Sequence, residues 1–172
     1  MHTRRAARHV HCGVQRLLQR ARVKDALWPA HLPGHFKGSR HFSEGGYDRI
    51  ATKLFTELCF HTYYLEYDTE RSGGFEPLQK LPRGKRVVLG VISSKFNTME
   101  DKSAMVKRVR EAAEHMAKGS GESVDEALKR ISVSPQCGFA SHEEGNAIDW
   151  DGMKAKLALV RLIADELWPG EP

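Results

Sequence analysis

The chain has 172 residues, 40% hydrophobic and 28% charged, which fits one globular domain and excludes a complete (β/α)8 barrel, since that needs at least about 200 residues. Its formal charge of +5 suggests nucleic acid only until it is located: Arg4, Arg5, Arg8, Arg16, Arg20, Arg22 and Lys24 occupy residues 1–24 without a single acid, and residues 25–172 are left at −2. That arm has no interleaved aromatics for base stacking, so it reads as a solvated, partly helical leader and no nucleic-acid partner is expected.

No apolar run of about 18 residues marks a membrane span, and no apolar stretch with a cleavage site follows the basic start. Cys12, Cys59 and Cys137 are odd in number and far apart, which argues against a disulfide framework and for the cytoplasm. Residues 1–30 form the basic leader, and residues 31–172 form the domain proper.

A turn-rich stretch from Trp28 to Ser43 leads to Tyr47, Ile50, Ala51, Leu54, Phe55 and Leu58, whose three- and four-residue spacing predicts one amphipathic helix. The aromatic run that follows predicts a strand at 62–66, and a loop with Gly73, Gly74 and Pro77 comes next. Val87 to Ile92 is an apolar run bounded by turn signals, which predicts a buried strand. A helix over about 101–118 presents Met105, Val109, Ala112, Ala113 and Met116 on one face, and Gly119 to Gly121 is its expected stop. Ser123 and Glu126 have the spacing of a capping box at the head of a short helix. A third strand ends at Pro135, and a helix from about Met153 to Leu167 closes the series. Strands alternating with helices call for parallel pairing through right-handed crossovers.

In parallel α/β folds the site lies at the carboxyl ends of the strands. Glu66 and Asp68 stand at the first such end, Ser93, Ser94 and Lys95 at the second, and Gln136 and Cys137 at the third. A carboxylate and a thiolate with one imidazole suit zinc, which accepts oxygen, sulfur and nitrogen donors. Other readings stand beside this one: Glu66 paired with an arginine such as Arg71, Lys95 simply solvated, and His41, His61, His115 and His142 on the surface or structural. Cys59, between Leu58 and Phe60, reads as core.

The strings EGGYDRIA, YYLEYDTERSGGFEPLQKLPRGKRVVLGVISSK and SPQCGFASHEEGN, followed by KAKLALVRLIADELW, resemble the C-terminal part of the cobalamin-independent methionine synthase family from about Glu44 to Trp168. The likeness is nearer to the shorter bacterial and archaeal type, described as 5-methyltetrahydropteroyltriglutamate homocysteine S-methyltransferase-like, than to the long two-barrel enzymes. It implies an α/β fold that is a partial TIM (β/α)8 barrel, comprising the last three or four strand-helix units. It also implies one catalytic zinc held by a His-x-Cys pair, a strand-end Glu and a later Cys. Glu66 matches that Glu, Cys137 matches the later Cys, and His31 takes the place of the His, while Pro33 or Gly34 stands where the Cys of the pair is expected. Lys95 falls near the place where the long enzymes carry a catalytic His.

The activity implied is methyl transfer from 5-methyltetrahydrofolate, as its polyglutamate, to homocysteine thiolate, with methionine as product. Zinc keeps the acceptor sulfur ionised at neutral pH, and an acid near the folate assists departure of the amine. The alternatives are a related zinc-dependent alkyl transfer to another thiol, as with coenzyme M, and a truncated, non-catalytic remnant or partner-dependent subunit. The last expects a complementing chain or a homo-oligomer, because a parallel sheet needs cover on both faces and protected edges.

Overall fold

The structure is a computed structural model that describes residues 46–58, 60–140 and 145–171. The basic leader, Cys12, His31, Pro33, His41, Cys59 and His142 lie outside the described residues, as does the side chain of Arg71.

Alternation decides which way each strand faces. Strand β1 (Thr62–Glu66) buries Tyr63 and Leu65 while Tyr64 between them is exposed. Strand β2 (Arg86–Ile92) buries Val87, Leu89 and Val91, and strand β3 (Ile131–Pro135) buries Ile131. All pairing is parallel in the order β1-β2-β3, with Tyr63 beside Val87, Leu65 beside Leu89, and Leu89 beside Val133. The register therefore gathers the apolar side chains onto one face of the sheet.

Four α-helices among the described residues share a core with that face. Helix α1 (Ala51–Glu57) brings Leu54 and Phe55, and α2 (Lys102–Ser120) brings Met105, Val106, Val109, Ala112, Ala113 and Met116. The short α3 (Val124–Leu128) adds Leu128, and α4 (Trp150–Leu167) adds Leu159, Ile163 and Leu167. The helix starts follow the capping signals. Asp101 accepts the Ala104 N–H at 2.7 Å, and Asp149 accepts the Gly152 N–H at 2.7 Å. Ser123 and Glu126 exchange both bonds of a capping box, at 3.2 and 3.1 Å.

Two local expectations shift. The single helix expected from Tyr47 to Leu58 is a 3-10 turn (Tyr47–Arg49) followed by α1. Helix α2 runs two residues past the expected end at Lys118, to Ser120, and stops within the expected Gly119 to Gly121 segment, on Gly121 in the left-handed conformation (φ 64°). A side chain at Gly119 would sit 2.0 Å from the Gln79 carbonyl oxygen, so this glycine serves close packing and not termination.

The larger correction concerns the fold class. The expected partial TIM (β/α)8 barrel of three or four strand-helix units is overturned: the described residues form an open three-stranded sheet, too small to be a portion of a barrel by itself. Among the described residues, each of β1 and β3 pairs with β2 alone. The parallel α/β part of the expectation holds. Among the described residues no helix is long and apolar enough to cross a membrane.

Candidate functional site at the carboxyl ends of the strands

Glu66 closes β1 with only 4% of its surface exposed. Its backbone N–H donates to the Tyr47 hydroxyl at 2.9 Å, and the Tyr47 ring lies 5.3 Å, centroid to centroid, from that of Tyr67. The 3-10 turn thus clamps the end of the strand through a side chain that is itself buried. Neither carboxylate oxygen of Glu66 has a hydrogen-bond partner. Burial, reinforced by the charge of Asp68, pushes its pKa up to about 7, while Lys95, Gln136 and Cys137 pull the other way.

Strand β2 runs into Ser94 and Lys95, both buried. Lys95 is 1% exposed, so the solvated reading of this residue is incorrect. Its ammonium lies 3.6 Å from Asp68 Oδ2 and makes no hydrogen bond, a loose ion pair removed from water. Ser94 Oγ donates to Gln136 Oε1 at 2.8 Å and lies 3.5 Å from Cys137 Sγ. The thiol in turn donates to Gln136 Oε1 at 3.0 Å.

Strand β3 reaches this cluster because it bends over the end of β2. The register slips between Gly90 and Ile92, and Gln136 N–H donates to the Ile92 carbonyl at 2.8 Å. A Cβ on Gly90 would stand 2.6 Å from Gln136 Cα, so only glycine leaves room for the crossing.

The segment after β2 is braced from the far side. Glu100 Oε1 accepts the Ser93 N–H at 2.9 Å and the Lys156 ammonium at 2.8 Å, and Lys156 also donates to the Thr98 carbonyl. Asn146 Nδ2 donates to the Ser94 carbonyl at 3.2 Å.

The three strand ends named from the sequence are therefore brought together. Glu66, Asp68, Ser94, Lys95, Gln136 and Cys137 meet, whereas His115 is engaged elsewhere, with Gln79 at 3.0 Å. Sequence reasoning missed Tyr47, Gly90, Asn146 and the Glu100–Lys156 brace. Only Gly90 left a signal, a glycine inside an otherwise apolar strand.

As a metal site, the cluster offers two suitable donors. A buried carboxylate with both oxygens unpartnered, beside a thiol, is a donor pair for a cation such as Zn2+. Among the described residues no group of three or more His, Cys, Asp or Glu is arranged to hold a metal, so Glu66 and Cys137 need a further donor, and the expected His31 lies outside them.

Two relatives are similar to this chain. The uncharacterized protein YxjG of Bacillus subtilis (strain 168) is 40% identical over 136 residues, which is 78% of this chain and 33% of the relative. The uncharacterized protein YxjH of the same organism is 38% identical over 136 residues, with the same shares. The chain thus spans about a third of the length of the curated relatives it matches. No family model matches the chain. No solved structure matches it either.

Proposed function

We propose that this polypeptide belongs to a zinc-dependent thiol methyltransferase, moving the methyl group of 5-methyltetrahydrofolate polyglutamate to homocysteine to give methionine. The observation that supports the reading is the Glu66 carboxylate, buried without a hydrogen-bond partner beside the Cys137 thiol at the strand ends. Two buried carboxylate oxygens without hydrogen-bond partners carry a large desolvation penalty, which a bound cation would offset. The resemblance of the strings around these two residues to the methionine synthase family supports the choice of zinc and of a thiol acceptor.

In this reading Glu66 and Cys137 hold the metal together with His31. Bound zinc would supply the Lewis acidity that keeps an acceptor thiol ionised at neutral pH. The chain's own groups do the rest. Ser94 and Gln136 fix the Cys137 sulfur by hydrogen bonds, Tyr47 fixes the backbone of Glu66, and Lys95 with Asp68 lines the mouth with a dry ion pair. The amine leaving the methyl group must gain a proton, and the buried Lys95 ammonium, which follows β2, is the group that would supply it.

Elemental analysis of the purified chain tests the assignment, alongside an assay for methionine from homocysteine and methylfolate. About one zinc per chain is expected, lost in both Glu66→Gln and Cys137→Ser. Zinc retained in both variants would overturn the site, and zinc-loaded protein that never transfers the methyl group would overturn the reaction.

A further inference from the structure

The loop that leaves β2 is fastened to α4 at two places. At its base Glu100 returns to the Ser93 N–H, seven positions back, at 2.9 Å, and the Lys156 ammonium holds that carboxylate at 2.8 and 2.7 Å while donating to the Thr98 carbonyl. At its tip Asn97 Nδ2 donates to Asp149 Oδ2 at 2.9 Å, and Asn97 Oδ1 accepts the Asp149 N–H at 3.1 Å. Lys156 has three acceptors for its three protons and no exposed surface, so it has nothing left to offer a ligand. Lys95, in the same loop, is almost as deeply buried and makes no hydrogen bond through its ammonium.

Stability does not account for the Glu100–Lys156 pair. Lys156 begins the buried stripe that Leu159, Ile163 and Leu167 continue, where an apolar side chain is the ordinary occupant. Replacing a buried ion pair by apolar groups of similar volume is often neutral or stabilising, so the charges call for another reason. Their geometry supplies one. The Glu100 carboxylate fixes the Ser93 N–H, one residue before the Ser94 hydroxyl that donates to Gln136 Oε1 at 2.8 Å, the same atom that accepts the Cys137 thiol at 3.0 Å. We propose that Glu100 and Lys156 are positioning residues of the strand-end site, setting Ser93 so that Ser94 holds Gln136 and thereby the Cys137 sulfur. The proposal rests on the methyl-transfer reading for the use made of that sulfur, and not for the geometry.

The test compares two double variants of the full chain, both treated with chelator. Lys156→Met with Glu100→Gln removes the charges and keeps an oxygen for the Ser93 N–H, whereas Lys156→Met with Glu100→Met removes that oxygen as well. The rate of alkylation of the half-buried Cys137 by iodoacetamide is followed by mass spectrometry on the peptide that carries it, beside urea midpoints. Alkylation at least about tenfold faster is expected with Glu100→Met, and within about twofold of the parent rate with Glu100→Gln, at similar midpoints. Equal rates in the two double variants would overturn the proposal. So would a midpoint far lower with Glu100→Met than with Glu100→Gln, or loss of the folded state in both, because the pair would then hold the fold and not the site. Adding Ser94→Ala to each is expected to abolish the difference between them, and a difference that persists would overturn the proposed route. A chain that takes up no zinc or transfers no methyl group would sink the reading above while leaving these rates as expected, so the two fail separately.

Discussion

The two ends of the sheet treat charge in opposite ways. At the amino end, Arg130 donates to the Pro82 carbonyl at 3.1 Å, to the Lys85 carbonyl, and to Glu122. Lys85 donates to the carbonyls of Phe55 and Leu58 at 2.7 Å and to the Tyr63 hydroxyl at 2.8 Å. Arg83 closes the turn by donating to the carbonyls of Ser120 and Gly121. At the carboxyl end, Glu66, Asp68 and Lys95 are all buried with polar atoms that have no hydrogen-bond partner. Cations that find carbonyls and carboxylates hold the amino end together, whereas buried groups without hydrogen-bond partners at the carboxyl end oppose folding.

The contrast extends to pH. Burial pushes Glu122 up, but hydrogen bonds from Ser120 and Arg130 outweigh it and hold the carboxyl below its ordinary range. Its contribution to stability is present above the unfolded pKa and is lost as pH falls. Glu66 has the opposite sign. With a folded pKa of about 7 against 4.5, the folded state holds the extra proton, so this group's contribution is lost as pH rises from about 4.5 to about 7.

The sharpest way to break the comparison is Arg130→Ala, which removes three acceptors' partner at once and strands Glu122. A loss of about 3 kcal/mol in urea unfolding is expected, and a loss near zero would mean that the amino end is not what holds the sheet. Glu66→Gln should move the other way. In chelator-treated protein at pH 8 it is expected to add up to about 3 kcal/mol, since the cost of ionising the buried carboxyl disappears. The decline in stability between about pH 4.5 and 7 should flatten in the same variant, and a destabilised Gln variant would show that the carboxylate is well accommodated.

Gly90→Ala comes next. Its methyl group would press on Gln136 and is expected to cost about 2 kcal/mol. A fully stable Ala variant would show that the end of β3 yields freely. Ser123→Ala, which breaks the capping box of α3, should cost about 1 kcal/mol and leave any zinc content unchanged. A change in metal content there would link the two ends and spoil the contrast.

The legible parts of the fold were those written in nearest neighbours. Strand β1 falls at 62–66 as its aromatic alternation predicts, β2 begins one residue earlier than expected, and the Ser123–Glu126 spacing makes the cap it suggests. The gathering of Glu66, Lys95 and Cys137 was legible too, because parallel strands must place their carboxyl ends together. The burial of Lys95 was not, since Asp68 and the covering segments come from distant sequence. Nor was the Tyr47 hydroxyl on the Glu66 N–H, a contact across 19 positions by a residue whose spacing announced only a helix face. The barrel expectation came from resemblance and not from strand count, and the three-stranded sheet among the described residues corrected it.

The bond from Lys156 to Glu100 spans 56 positions, and it is α4 that delivers the lysine. During synthesis the ribosome therefore releases the segment after β2 well before its brace exists. All residues of the sheet and of α2 precede the helix that carries Lys156, so they are made before the brace of Glu100 and Thr98 can form. A nascent chain stalled before residue 156 would hold the floor of the molecule with its mouth still unset.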